Sequence, residues 1–235
     1  RREIEALGYR PDFTIYDTRD RDRLLKGLLK EEGFEARDVK PAAVGRRLSH
    51  FKNRRLGPDD FPRYGSMLDT ALEKAWPRYE ERMRRANALD FDDLLLKTLA
   101  LFERFPTVRD RWADRFRHVL VDEFQDTNTI QYEIARHLAS RHGNLMVVGD
   151  PDQSIYGFRG SRVSNLPAFE EDHSGARLIR LEQNYRSTGL ILTAAAGVIG
   201  HNRQRKEMRL FTENERGAPV ELVTAATAEE EALRV

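Results

Sequence analysis

Three stretches of this chain carry side chains that can do chemistry. In the first, the apolar run Val119-Leu120-Val121 stops at two adjacent carboxylates, Asp122 and Glu123. A carboxylate at a strand end can hold Mg²⁺, usually through water, beside nucleotide phosphates, and its neighbour can orient or deprotonate an attacking water. The second stretch follows the apolar run Leu145–Val148 and reads GDPDQSIYGFR from Gly149 to Arg159. Gly149 lets the backbone turn off the run, and Gln153 offers a neutral amide to a terminal phosphate. Tyr156, Phe158 and Arg159 put two rings and a cation on one loop, where rings can stack unpaired bases and Arg can reach phosphate. The third, LEQNYRST at Leu181–Thr188, sets Tyr185 beside Arg186. Each stretch also has a plainer reading. Acids at a strand end are ordinarily solvated, Tyr156 and Phe158 can equally anchor their loop in the core, and Arg186 can be a surface charge.

These residues need elements to place them. Between the first two stretches lies a helical pattern, Ile130–Arg141, with Ile130, Ile134 and Leu138 at one face, a cap at Thr127 or Asn128, and a stop at Gly143. Strand, helix and strand in quick succession predict a right-handed parallel crossover, with the acids at the edge where open parallel sheets bind ligands. Upstream, Gly8 stops a helix tail and Phe13–Tyr16 reads as a strand. Asp17 or Thr18 caps a helix over Arg21–Glu32. Residues 38–85 read as a helical insert, with one helix over Ala42–Asn53 and another from Ser66 to Arg85 that kinks or restarts at Pro77. Asp90-Phe91-Asp92-Asp93 opens a helix through Glu103, its acids favoured by the helix dipole, and Val108–Arg115 is a short helix. Downstream, Leu178–Leu181 and Val220–Val223 read as strands, with helices over 187–200 and from Ala228.

Composition narrows the classes. The chain has 235 residues, 40% of them hydrophobic, enough for a sizeable core. Net charge is only +1, so any basic surface for a nucleic acid must be local; Arg37–Arg55 is the one dense run, with Asp38 its lone acid. The absence of Cys removes disulfide frameworks and thiolate metal sites, and the six His show no metal-ligand spacing. No Ser/His/Asp constellation and no signal peptide is visible. No apolar run approaches the ~18 residues of a membrane span. The chain opens without Met inside one helical pattern and stops inside another, and so reads as an internal piece of a longer protein.

VDEFQDTN followed by VVGDPDQSIYGFRGS resembles motifs II and III of superfamily 1 DNA helicases of the UvrD/Rep/PcrA group, and LEQNYRST resembles their motif IV. LDFDDLL at Leu89–Leu95 is similar to a segment these helicases share. The likeness extends to residues 40–53 and to Phe211-Thr212-Glu213, and so covers essentially the whole chain. Ordered motifs at family-like separations are far more specific than any one of them alone. The resemblance implies an α/β fold: a RecA-like parallel-sheet motor domain with an all-helical insert, plus the start of a second RecA-like domain. It places part of the first motor domain at 1–37, the insert at 38–88, the remainder of that domain at 89–180, and the second at 181–235.

The same resemblance implies an ATP-dependent DNA helicase or translocase. It would move 3′→5′ on single-stranded DNA and unwind duplexes, in DNA repair and in the cytoplasm, with ATP and Mg²⁺ as cofactors and single-stranded DNA and its junctions with duplex as partners. Asp122 corresponds to the Mg²⁺-associated acid, Glu123 to the catalytic base, and Gln153 to the γ-phosphate sensor. Tyr185 corresponds to the residue packing on adenine and Arg186 to an arginine finger. Tyr156 and Phe158 occupy positions that stack or pocket bases, and Arg159 matches the motif III arginine. The family usually has Trp at Phe158, so base contact there is expected to be weaker, and commonly Tyr at Phe124, which here loses the hydroxyl. Its basic helical insert lies beside DNA. Two alternatives remain: the helicase part of a recombination helicase–nuclease, and a non-catalytic DNA-binding piece.

No G-x-x-x-x-G-K-[ST] occurs in the chain, so it supplies no loop to cradle β- and γ-phosphates, and the family's last motifs are absent too. Residues 1–235 by themselves are therefore expected to hydrolyse ATP at background rate with or without DNA. A steady-state ATPase assay showing robust DNA-stimulated turnover would refute this.

Overall fold

The structure, a computed structural model, describes residues 1–35, 37–62, 65–154, 165–202 and 208–234. It divides into two compact units, Arg1–Asp172 and His173–Val235. In the first, strand β1 (Thr14–Tyr16) leads into helix α1 (Thr18–Glu31). Asp17 is the cap: its carboxylate accepts from the N–H groups of Arg19 and Asp20 at 2.7 and 2.9 Å, and Asp20 returns the bond. Helices α2 (Pro41–Lys52) and α3 (Met67–Arg85) follow. Ser66 caps α3 as expected, but the helix continues through Pro77 without restarting. Packing on α1 and α2 outweighs the one lost backbone bond. Leu25, Leu28, Val44, Leu48, Phe51, Leu72, Trp76 and Tyr79 fill the core between these three helices, with Phe51 and Trp76 stacked at 6.3 Å.

Strand β2 (Ala88–Asp90) escaped the sequence reading. Three fully buried residues show no alternation to detect. β2 pairs parallel with β1, Ile15 opposite Leu89, and its last residue caps helix α4 (Phe91–Arg104) through a second capping box, Asp90 with Asp93. Helix α5 (Pro106–Arg115) begins on its proline. Strand β3 (Val119–Val121), helix α6 (Thr129–Ala139) and strand β4 (Leu145–Val147) form the expected parallel unit, Leu120 opposite Met146, with Asn128 rather than Thr127 as the cap. Helix α7 (Asn165–Asp172) ends the unit; its Phe169 meets the rings of Phe124 and Tyr132 edge-on or tilted. Ile130 is buried, while Ile134 and Leu138 line a cavity of about 520 Å³ with Phe13, Leu89 and Trp112. The expected α/β class with parallel strand pairing holds.

Lys52 joins the helical layer to β2 and α4. It is 2% exposed, and its ammonium lies 3.0 Å from Asp90, 2.9 Å from Asp93 and 3.0 Å from Glu80. The Tyr79 hydroxyl donates to Asp90 at 2.9 Å. Burial disfavours the Lys52 charge, but the Asp93, Asp90 and Glu80 carboxylates override it and hold its pKa well above the ordinary value. Burial pushes the Asp93 carboxyl up to about 6 against the pull of Lys52, with Asp90 and Glu80 adding to the rise. Burial also penalises Asp90, yet Lys52, the Asp93 N–H and the Tyr79 hydroxyl together hold its carboxyl below its usual range. Next in sequence, Asn53 donates to Asp92 at 2.8 Å and accepts from Asn128 at 2.7 Å.

The basic run 37–55 is thus partly spent inside the protein. Lys52 is buried, Arg47 pairs with Asp69 and Arg55 with Glu103, while Lys40, Arg46 and Arg54 are exposed.

The second unit departs most from expectation. Helix α8 (Gly189–Ile199) and the short α9 (Ala228–Arg234) form, but 178–181 and 220–223 are not strands. Among the described residues of this unit the strand-like pairing is one isolated bridge, Gln183 with Phe211. Leu178, Leu181 and Leu222 remain largely exposed. A strand needs a neighbour for its backbone groups, and apolar sequence alone does not supply one.

Lys52→Met leaves buried carboxylates without their cation. It is expected to cost about 3–5 kcal/mol. Urea unfolding that shows a loss of under about 1 kcal/mol would contradict the central role of this ammonium.

Candidate active site

β3 and β4 deliver their acids to one edge because their pairing outlasts the strands. The Val148 N–H donates to Val121 O at 2.8 Å, and the Phe124 N–H donates to Val148 O at 2.9 Å. Asp122 and Glu123 emerge exposed at the end of β3. Asp122 Oδ1 accepts the Glu123 N–H at 2.9 Å. Glu123 itself adopts φ 50°, ψ 43°, the left-handed region, and the chain then enters a 3₁₀ turn, Phe124–Asp126, before Asn128 caps α6. The turn is held by the Phe124 ring, fully buried against Tyr132 and Phe169.

From β4 the chain passes Gly149 and Asp150 into a second 3₁₀ turn, Pro151–Gln153. Asp150 organises this turn: Oδ1 accepts the Asp152 N–H at 3.0 Å, and Oδ2 accepts from Gln153 Nε2 at 2.8 Å. Gln153 is exposed at the same edge as the acids. Gly149 is not among the positive-φ glycines, so the turn expected to need it is not what does. The requirement is close approach. A Cβ there would lie 2.6 Å from Gln125 Oε1 and 3.2 Å from the backbone nitrogens of Phe124 and Gln125.

Gln125 is the residue the sequence reading missed. It was legible only as a letter within the DEFQD run. It is 1% exposed, donates from Nε2 to Glu123 Oε2 at 2.7 Å, and accepts the Asp150 N–H on Oε1 at 3.0 Å. The two strand-end loops therefore share one buried amide. A polar residue two positions after an acid was the available signal, but burial gives it meaning, and burial is not written in spacing.

Tyr185 and Arg186 lie in the second unit, both exposed. Asn184 Oδ1 accepts the N–H groups of Arg186 and Ser187 at 3.0 and 2.7 Å, a local side-chain turn. Asn214 Nδ2 donates to the carbonyls of Tyr185 and Ser187, fixing the segment from behind. The Tyr185 hydroxyl donates to Gln183 at 2.8 Å, leaving the ring face open. Tyr156, Phe158 and Arg159 lie outside the described residues. Among the described residues no three His, Asp or Glu side chains cluster so as to hold a metal by themselves. No helix is long and apolar enough to cross a membrane among those residues.

Residues 1–174 match the UvrD/REP helicase N-terminal domain family, and 179–235 match the UvrD-like helicase C-terminal domain family. The chain is 40% identical over 221 residues to the ATP-dependent DNA helicase PcrA of Bacillus subtilis, covering 94% of this chain and 30% of that protein. Proteins of the same name from Staphylococcus epidermidis and Leuconostoc citreum are also 40% identical, each over 99% of this chain and 32% and 31% of their own lengths. The chain spans about a third of these relatives.

The left-handed Glu123 has a measurable consequence. A non-glycine residue there carries backbone strain of roughly 1–2 kcal/mol, of which glycine's greater chain entropy gives part back. Glu123→Gly and Glu123→Ala both take the acceptor from the buried Gln125 amide, so the strain shows in their difference: the glycine variant is expected to be more stable than the alanine variant by up to about 1 kcal/mol. Urea unfolding that finds the glycine variant no more stable than the alanine variant would contradict strain at this position.

Proposed function

The chain belongs to the UvrD/REP helicase family, and from that premise we propose that it is part of an ATP-dependent DNA helicase whose hydrolytic edge is Asp122, Glu123 and Gln153. The observation that carries the reading is the meeting of two strand-end loops: one bears adjacent carboxylates and the other an exposed amide, and a buried Gln125 lies between them. Asp122 is exposed at a strand end and makes no ion pair among the described residues, which suits a carboxylate that meets Mg²⁺ through water and phosphate oxygens. Bound Mg²⁺ would neutralise phosphate charge as the terminal phosphoryl group leaves.

Glu123 takes the proton of the attacking water, and Gln153 donates to the terminal phosphate. On the second unit, Tyr185 offers its open ring to adenine and Arg186 its guanidinium to the γ-phosphate. We assign 1–37 and 89–180 to the first motor domain, 38–88 to its helical insert and 181–235 to the start of the second. Tyr156, Phe158 and Arg159 are assigned to single-stranded DNA, on which the whole protein moves 3′→5′, in DNA repair and in the cytoplasm. Likeness to the PcrA helicases supports this reading.

In the full-length protein, Glu123→Gln is expected to lower ATP turnover by about 10²- to 10⁴-fold while ATP binding stays within a few-fold of the parent. Near-normal turnover with intact folding would refute the base assignment.

A further inference from the structure

We infer that Gln125 is a positioning residue that ties the orientation of the Glu123 carboxylate to the position of the 149–154 loop. This rests on the reading of Glu123 as the base.

The amide has one permitted orientation. The Asp150 N–H can only donate, so Gln125 Oε1 must face it, at 3.0 Å. Nε2 is then left to donate to Glu123 Oε2, at 2.7 Å. With 1% of the residue exposed, water cannot readily replace either partner. The backbone that carries the amide is tied as well: the Ser154 hydroxyl donates to the Gln125 main-chain carbonyl at 3.4 Å, and Gly149 lacks the Cβ that would displace Oε1. Asp150, which anchors one end of the amide, also holds Gln153 by its side chain. The loop that presents an amide to the terminal phosphate thus grips, through its own backbone, the group that aims the base. Movement of Gln153 on meeting phosphate is passed to Glu123 through Asp150 and Gln125. No direct bond links Gln153 to Glu123 among the described residues.

Two variants of the full-length protein test this, assayed for ATPase with and without single-stranded DNA. Gln125→Glu keeps the shape and an acceptor for the Asp150 N–H, but sets an ionised carboxylate against Glu123. It is expected to lower kcat by about ten- to a hundredfold, with KM for ATP within about threefold. Gly149→Ala, whose Cβ crowds Oε1, is expected to lower kcat in the same KM-sparing way. The proposal is overturned if Gln125→Glu retains kcat within twofold, if its kcat and KM worsen together, or if neither variant folds, which would make the amide structural. Glu123→Gln run in parallel separates the two readings. If it stays active, the base assignment fails. If it is dead while both variants at 125 and 149 are normal, only the positioning role fails.

Discussion

The structure hangs on one buried ammonium. Lys52, at the end of α2, is surrounded by carboxylates from α3, β2 and α4. Taking these charges out of water is costly, and the cost is recovered only if every partner arrives in place. The cluster therefore acts less as a source of stability than as a condition on it. The helices of 41–85 can dock on β2 and α4 in one register, the one that brings Glu80, Asp90 and Asp93 around the same nitrogen. Tyr79 completes the set by donating to Asp90, so no strong acceptor there is left bare. Asp90 and Asp93 also cap α4 reciprocally, so the start of that helix and the neutralisation of Lys52 are one event.

From this cluster a polar thread runs toward the candidate active edge. Asn53, beside Lys52, bridges Asp92 on α4 and Asn128, the cap of α6. Asn128 lies five residues after Glu123, at the far end of the turn that Phe124 anchors. The helical layer and the strand-end loop are thus joined through short hydrogen bonds between side chains that have few rotamers left to explore. A residue held in the left-handed region, as Glu123 is, persists only when its surroundings over-determine it. Phe124 buried below, Gln125 on one side and the α6 cap beyond supply that constraint.

The two units contrast in how far strand pairing develops. In Arg1–Asp172 a helix is finished by another element's carboxylate or a strand by another strand's carbonyl. In His173–Val235 the segment 182–190 is held by 209–216 through backbone bonds, Asn184 and Phe211 N–H to Phe211 and Glu182 O and the Gly189 and Leu190 N–H groups to Glu215 and Arg216 O, with the Asn214 amide and one bridge, Gln183 with Phe211. The apolar segments 178–181 and 220–223 lie outside this pairing and are not strands. Their composition meets the local requirement of a strand, and the missing ingredient is a partner.

The sequence by itself determined the candidate site residues and most of the local frame. Acids after apolar runs, Ser and Asp caps, glycine stops and helical spacing are interactions among neighbours in the chain, and they placed α1, α2, α4, α6, β3 and β4 close to where they lie. Ordered motifs likewise pointed to the family. Tertiary structure decided what depends on partners distant in sequence. It made Lys52 an internal counter-ion rather than part of a DNA-facing basic run, because its acids lie 28, 38 and 41 residues away. It turned Ala88–Asp90 into a strand, because Thr14–Tyr16 was there to pair with it. It gave Gly149 a reason of close approach and not of turn geometry, and it made Gln125 the shared amide of two loops. Spacing reports which side chains can face the same way. Burial and hydrogen-bond satisfaction, which select one role among those a side chain could play, exist only once the elements have packed.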